Sequence, residues 1–136
     1  MASAGPAAFL FDLDGTLVDS VYEHVLAWRE ALEQVGIELA VWRIHRRIGM
    51  SGRLLINALL RETGTEITAQ LVEEVQRRYT EAYVRRSGQV RPLPGAKELL
   101  KCLTESKVPW TVATSGRMAA ARSGLEAIGV ARHICR

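Results

Sequence analysis

Two aspartates, Asp12 and Asp14, stand two residues apart at the end of a short apolar run, residues 7–11. A continuous apolar run of this length predicts a buried β-strand, and side chains at i and i+2 leave a strand on the same face. Open α/β sheets bind their ligands at the carboxyl ends of such strands. Two carboxylates placed there could hold a hard cation such as Mg²⁺, or act as nucleophile and acid–base. Gly15 permits a sharp turn directly after the pair.

Two other interpretations of the aspartate pair are a solvated turn and a calcium-binding loop. A calcium loop that begins at Asp12 needs glycine at its sixth position, where this sequence has Leu17. The pair also follows a predicted strand, whereas a calcium loop follows a helix. Both features disfavour calcium, and the solvated turn remains the alternative.

A second group of polar residues, Thr114, Ser115 and Gly116, follows the apolar run 108–113 and precedes a predicted helix. Hydroxyls and glycine amides at a strand end form an anion site, because the positive end of the helix dipole faces the same point. The alternative is that Ser115 simply caps the helix. We expect this turn to converge with the aspartate pair in one pocket.

Between and after these motifs, apolar spacing predicts six helices and one further strand. Helices are predicted at 21–35, 39–48, 53–63, 68–86 with Thr68 as N-cap, 96–105 and 118–128, and a buried strand at 108–113. The run Pro92–Gly95 marks a boundary. This order predicts an α/β fold: a Rossmann-like parallel-sheet core of residues 1–18 and 91–136, interrupted by a four-helix cap at 19–90.

Residues 11–20, Phe-Asp-Leu-Asp-Gly-Thr-Leu-Val-Asp-Ser, resemble the first signature of the haloacid dehalogenase-like (HAD) hydrolase superfamily. Asp19 and Ser20 resemble the subgroup with an inserted helical cap, which includes phosphoglycolate phosphatases, sugar-phosphate phosphatases and β-phosphoglucomutases. The resemblance implies Mg²⁺-dependent phosphoryl transfer to Asp12 as nucleophile. Asp14 would protonate the leaving oxygen and then activate water. Both would hold Mg²⁺, Asp12 through its carboxylate and Asp14 through its main-chain carbonyl.

The same resemblance implies phosphate binding by the hydroxyl of Thr114 and by Ser115, Gly116 and Gly15. Residues 19–28 resemble the linker and first cap helix of sugar-phosphate enzymes. In β-phosphoglucomutases, a histidine at the position of His24 helps couple cap closure to proton transfer. A partly buried structural histidine is the alternative.

Residues 47–53, Arg-Ile-Gly-Met-Ser-Gly-Arg, resemble the substrate-specificity loop that the cap lowers over the site. The resemblance makes Arg47, Gly49, Ser51 and Arg53 candidate substrate residues. Gly52 departs from the mutase pattern, which has a basic residue at that position.

A phosphatase acting on a small phosphorylated metabolite fits the motifs better than three related activities. Dehalogenases lack an acid equivalent to Asp14, and phosphonate-cleaving relatives need a cap lysine, whereas residues 19–90 contain none. A β-phosphoglucomutase-like activity is the alternative enzyme.

The resemblance implies two further parts after the Thr114 turn: a lysine that steadies the nucleophile and the phosphate, and an acidic pair or an aspartate that completes the Mg²⁺ shell. Neither is found in this sequence. After Ser115 there is no lysine and no aspartate, and the only acid is Glu126. We therefore expect a C-terminally truncated or frame-altered member with weak or no turnover. A non-catalytic remnant that serves as a binding or assembly module is the alternative. The incomplete sheet would expose an edge, which a homodimer or a complementing chain could cover.

Composition is that of one ordinary globular domain: 136 residues with a formal charge of +3. The arginine clusters at 43–53 and 77–86 are either solvated helix faces or an anion-attracting patch. No aromatic-rich basic motif suggests nucleic acid. No signal peptide or membrane span is predicted, so we expect a cytoplasmic protein. Cys102 is expected to be a buried small residue. Trp42 and Trp110 are expected to be packing residues rather than ligand contacts.

Overall fold

A computed structural model describes residues 7–130, which fold into six α-helices and four short strands. The strands are β1 (Phe9–Phe11), β2 (Val18–Asp19), β3 (Arg91–Pro92) and β4 (Trp110–Val112). The helices are α1 (Val21–Glu33), α2 (Val41–His45), α3 (Gly52–Glu62), α4 (Ala69–Arg86), α5 (Ala96–Glu105) and α6 (Met118–Ala127). In this part of the chain no helix is long and apolar enough to cross a membrane.

Strands β1 and β4 form a parallel pair in which Phe9 lies opposite Trp110 and Phe11 opposite Val112. The parallel pairing fits the predicted α/β fold, but the prediction that both strands are buried is wrong. Phe9 is 48% exposed and Leu10 is 70% exposed. Among residues 7–130 this sheet has only two strands, so too few neighbouring elements cover its faces.

A second, antiparallel pair joins β2 to β3, with Val18 opposite Pro92 and Asp19 opposite Arg91. The sequence did not predict this pair, because two-residue strands carry no periodic pattern. All four helices predicted between these strands are present. Helix α2 is shorter than predicted, whereas α4 begins as expected, with the Thr68 hydroxyl accepting a hydrogen bond from the amide of Leu71 at 3.1 Å.

The hydrophobic core is concentrated in the helices between β2 and β3 and extends to the loop after β1. Helices α1 and α4 pack along each other, and the ring of Trp28 stacks on that of Tyr79 at 3.8 Å. Leu13 in the loop after β1 and Val18 in β2 contact α6 closely, since a Cβ added at Gly124 would lie 3.3 Å from each of their side chains. The helical region and the strand region therefore share one core.

Two residues lie on the surface although one was predicted to be buried and the other to be a packing residue. Cys102 is exposed because the buried stripe of α5 consists of Ala96, Leu100 and Leu103. Trp42 is 54% exposed, and the guanidinium groups of Arg43 and Arg46 lie 5.4 and 5.7 Å from the centre of its ring. Trp110 is partly buried against the core, as expected. The third strand considered for residues 131–136 lies outside the described residues.

Candidate active site

The parallel pairing of β1 and β4 brings the two predicted motifs side by side. The amide of Ala113 donates a hydrogen bond to the carbonyl of Phe11 at 2.8 Å. The segments that follow β1 and β4 therefore leave the sheet side by side. A Cβ added at Gly116 would lie 3.2 Å from Thr114 Oγ1 and 4.0 Å from Asp14 Oδ2. The aspartate loop and the Thr114–Gly116 turn therefore face the same space.

That space is a cavity of about 600 Å³ between the strand ends and the helices that follow β2. Nearly all of the predicted site residues line it: Asp12, Asp14, Gly15, His24, Gly49, Ser51, Arg53, Thr114, Ser115 and Gly116. The exception is Arg47, which is not among the lining residues and pairs instead with Glu62 at 3.5 Å. The role of Arg47 as a substrate residue therefore stays a prediction.

The Thr114–Gly116 turn is not a simple helix cap. Arg117 is the N-cap residue of α6, and no side chain caps this helix. Thr114 Oγ1 instead accepts a hydrogen bond from the amide of Gly116 at 3.0 Å, which folds the turn toward the cavity. The alternative that Ser115 caps α6 is therefore wrong, and Ser115 borders the cavity instead.

Glycine is required in the aspartate loop for two reasons. Gly15 has a φ of +76°, a conformation that side-chain-bearing residues rarely adopt. A Cβ at this position would also lie only 2.8 Å from Val21 Cγ2, at the start of α1. The tight turn is closed by a hydrogen bond from the amide of Gly15 to the carbonyl of Val18 at 2.9 Å. The chain can thus return directly from the cavity into α1.

Asp14 is held by two hydrogen bonds to the same carboxylate oxygen. Ser20 Oγ donates to Asp14 Oδ1 at 2.6 Å, and His24 Nε2 lies 2.9 Å from that oxygen. Burial raises the pKa of the Asp14 carboxyl, but the hydrogen bonds from His24 and Ser20 and the nearby His24 charge outweigh it. The net pKa lies below the usual value. The second oxygen, Oδ2, is the one nearer to Gly116.

His24 connects Asp14 to helix α4 and lies in an aromatic cluster. Its Nδ1 is 2.7 Å from the hydroxyl of Tyr79, and its ring stacks on Tyr83 at 4.1 Å. The sequence predicted both tyrosines only as members of the apolar stripe of α4. Their relation to His24 spans more than 50 residues of sequence, so spacing alone gave no signal for it.

The wall of the cavity formed by α4 carries a further polar residue that the sequence analysis missed. Gln76 lies one turn before Tyr79, is buried and lines the cavity. A Cβ on Gly52 would lie 2.6 Å from Gln76 Oε1, so Gly52 leaves room for this amide. Gly52 is the position at which the sequence departs from the mutase pattern.

Most clustered arginines pair with nearby acids rather than face the cavity. Arg43 and Arg47 pair with Glu62, Arg77 and Arg78 with Glu74, and Arg85 and Arg86 with Glu30. These pairs support the interpretation of solvated helix faces. Arg53 is the member of these clusters that borders the cavity.

The oxygen donors of Asp12 and Asp14 are of the type that Mg²⁺ prefers, but they are few. Within residues 7–130 there is no cluster of three His, Cys, Asp or Glu side chains that could hold a metal ion. Mg²⁺ commonly takes only one or two carboxylates from a protein and completes its shell with waters and substrate phosphate. The carboxylate of Asp12 and the main-chain carbonyl of Asp14 therefore fit this metal, with the remaining ligands to come from elsewhere.

The structure is an α/β fold in which an Asp-x-Asp loop and a hydroxyl–glycine turn follow two adjacent parallel strands and line one cavity. The family model of the haloacid dehalogenase-like hydrolases matches residues 6–135, and this chain belongs to that family.

Similar proteins agree with this assignment. Hexitol phosphatase A of Escherichia coli K12 is 33% identical over 119 residues, which is 85% of this chain and 51% of that protein. Phosphoglycolate phosphatase of Agrobacterium fabrum is 26% identical, over 91% of this chain and 54% of that protein. The crystal structure of a hydrolase from Pseudomonas syringae has a TM-score of 0.86 at 49% identity, over 90% of this chain and 56% of that one. The chain thus spans about half the length of the curated relatives it matches.

Proposed function

We propose that this chain carries the nucleophile and acid–base part of a Mg²⁺-dependent phosphatase that acts on a small phosphorylated metabolite. The observation that carries the proposal is the single cavity shared by Asp12, Asp14 and the Thr114–Gly116 turn. In the proposal, residues 19–90 act as a helical cap over a core of residues 1–18 and 91–136, and the enzyme works in the cytoplasm.

In the proposed reaction, Asp12 attacks phosphorus and forms an aspartyl-phosphate while the bond to the leaving oxygen breaks. Asp14 gives its proton to that oxygen. Water then attacks the aspartyl-phosphate, Asp14 takes the proton of that water, and free phosphate and Asp12 are regenerated. The lowered pKa of Asp14 in the free chain keeps its carboxyl ionised, which is the form that takes a proton in the second step. A bound phosphate dianion would raise this pKa toward the value that the first step needs.

The negative charge of the phosphoryl group repels two carboxylates, so positive groups must surround it. The Thr114 hydroxyl and the amide of Ser115 would donate hydrogen bonds to its oxygens, and the N-terminus of α6 faces the same point. The amide of Gly116 would do the same on leaving Thr114 Oγ1, to which it donates in the free chain. The Asp12 carboxylate and the Asp14 main-chain carbonyl would hold Mg²⁺. When bound, the metal would supply charge neutralisation for the transferring group.

For the substrate, we propose a phosphorylated polyol or sugar. A cavity of about 600 Å³ has room for such a molecule beside the phosphate site. The cavity lining also includes Ser51, Arg53 and the buried amide of Gln76. Arg53 can donate hydrogen bonds to substrate hydroxyls, and Ser51 and Gln76 can both donate and accept them. The name of the relative hexitol phosphatase A supports the same substrate class.

Phosphate release tests the proposal. The purified 136-residue chain would be given p-nitrophenyl phosphate, hexitol phosphates and sugar phosphates, each with and without Mg²⁺. We expect weak hydrolysis that requires Mg²⁺ and that Asp12→Asn reduces to the background level, because the nucleophile is removed. Asp19→Asn is the matched control, since Asp19 lies in β2 opposite Arg91 and outside the cavity lining. Equal activity in both variants would contradict the role of Asp12.

Two alternatives give different results in the same experiment. A mutase would interconvert sugar phosphates without net release of phosphate. A non-catalytic binding or assembly module would show no turnover with any substrate or metal. The exposed strands β1 and β4 favour this second alternative, because an assembly partner, either a second copy or a complementing chain, could cover them.

A further inference from the structure

The proton-transferring carboxylate of the proposed site is the first member of a hydrogen-bonded row that ends on helix α4. Asp14 Oδ1 lies 2.9 Å from His24 Nε2, and His24 Nδ1 lies 2.7 Å from the Tyr79 hydroxyl. The three residues belong to three elements: the loop after β1, helix α1 and helix α4. Nothing in the proposed reaction yet uses Tyr79.

Each of the two rings in this row also stacks on a further aromatic ring. The His24 ring stacks on Tyr83 at 4.1 Å, with an angle of 6° between the planes. The Tyr79 ring stacks on Trp28 at 3.8 Å, with an angle of 9°. All four rings are buried. Stacking determines the plane of each ring but not its rotation within that plane. A directional hydrogen bond is needed to determine where the ring nitrogens of His24 point.

The hydrogen-bond partners assign the ring nitrogens of His24. An ionised carboxylate only accepts hydrogen bonds, so Nε2, which faces Asp14, must carry a proton. In a neutral imidazole the other nitrogen, Nδ1, is then an acceptor. The Tyr79 hydroxyl is the donor within reach of Nδ1. Burial, with Tyr83 and Asp14 nearby, raises the pKa of Tyr79, so its phenol keeps the proton that it donates.

We propose that Tyr79 is a positioning residue for phosphoryl transfer: its hydroxyl binds His24 Nδ1 and thereby aims Nε2–H at Asp14. The inference rests on the proposed function, in which Asp14 moves the proton. Through this bond, helix α4 of the proposed cap controls the orientation of an acid–base group on the core. Tyr79 does not touch the reacting atoms itself.

Nitrogen-15 NMR of the histidine rings tests the hydrogen bond without any need for activity. The metal-free 136-residue chain is labelled and measured at pH 8, and His24→Gln identifies the His24 signals. We expect the wild-type ring to carry its proton on Nε2, and the Nδ1 signal to be that of a hydrogen-bonded acceptor. In Tyr79→Phe, the Nδ1 signal should move toward that of an unbonded ring nitrogen.

Tyr83→Phe is the matched control, because it removes a phenolic hydroxyl from the same cluster but keeps the ring that stacks on His24. We expect its His24 signals to match those of wild type. A proton on Nδ1 in the wild-type chain would overturn the proposal, and this needs no variant that folds. Identical His24 signals in wild type and Tyr79→Phe would overturn it as well.

Phosphate-release kinetics then separate this inference from the proposed function. If the chain is a phosphatase, Tyr79→Phe should lower kcat about tenfold and leave KM unchanged. Removing the hydrogen-bond partner behind a functional histidine typically costs about 10–100-fold, and we expect the lower limit of that range. If Tyr83→Phe lowers kcat as much as Tyr79→Phe does, the positioning role of Tyr79 is overturned. Absence of turnover in wild type would contradict the proposed function, while the NMR result would still decide whether Tyr79 orients His24.

Discussion

Replacing Ser20 by alanine removes one of the two hydrogen bonds that hold the Asp14 carboxylate. Ser20 is buried, and its hydroxyl lies 2.6 Å from Asp14 Oδ1. A hydrogen bond to a charged group contributes about 1.5–3 kcal/mol to stability. The Asp14 side chain is 22% exposed, so water can replace part of the lost bond. We therefore expect the Ser20→Ala variant to be about 1.5 kcal/mol less stable at pH 7.

The loss should depend on pH in a direction that follows from the pKa of Asp14. This pKa is lower in the folded chain than the ordinary value of 3.8. The ionised carboxylate therefore stabilises the fold above that value, and the contribution is lost as the pH falls through the folded pKa. Because the serine bond favours the ionised form, the difference between variant and wild type should shrink progressively below pH 4.

Urea unfolding measures both quantities on the metal-free chain. With a slope of about 2 kcal/mol per molar urea, a loss of about 1.5 kcal/mol lowers the midpoint by about 0.7 M. The control is Ser51→Ala, because Ser51 also borders the cavity but makes no capping hydrogen bond with its side chain. A midpoint shift in Ser20→Ala that equals the control, or that stays the same from pH 7 to pH 3, would refute the reasoning.

Two further substitutions test the loop and the core by thermal or urea unfolding. Gly15→Ala should destabilise the chain by about 1–2 kcal/mol, because alanine is strained at a φ of +76° and would contact Val21. Gly88→Ala, at a position with open space, should change little, and an equal loss in both would count against the strain. Leu59→Ala should cost about 2–5 kcal/mol by opening a cavity in the core. Leu54→Ala on the same helix, where the side chain is 59% exposed, should stay within about 0.5 kcal/mol of wild type.

The helices were predictable because each has a local apolar stripe. Helix α5 spans Ala96–Glu105, as its spacing predicted, and α4 starts after the predicted cap Thr68. The strands were less predictable, because burial depends on what the rest of the chain packs against them. Leu10 has the sequence context of a buried strand residue and is nevertheless exposed, since the sheet has two strands in the described part of the chain.

For the site, motif residues could be predicted and their supporting partners could not. The Asp-x-Asp loop and the Thr114 turn each carry their chemistry within a few residues, and parallel pairing brings them to one cavity. Tyr79 and Gln76 face that cavity only because α4 packs beside α1, which depends on residues far apart in the chain. Arg47 had a suggestive position in sequence, but Glu62 lies close enough to pair with it.

The antiparallel pair β2–β3 sets where the helical region begins and ends. Val18 and Asp19 lie opposite Pro92 and Arg91, so the chain departs and returns across a single ladder of hydrogen bonds. Directly opposed residues in such a pair have Cα atoms only about 4.5–5.5 Å apart. An excursion of some seventy residues thus starts and finishes almost at one point. A short turn could replace it without stretching the backbone, so helical inserts of different size could be exchanged at this junction while the Asp-x-Asp loop and the Thr114–Gly116 turn stay in register.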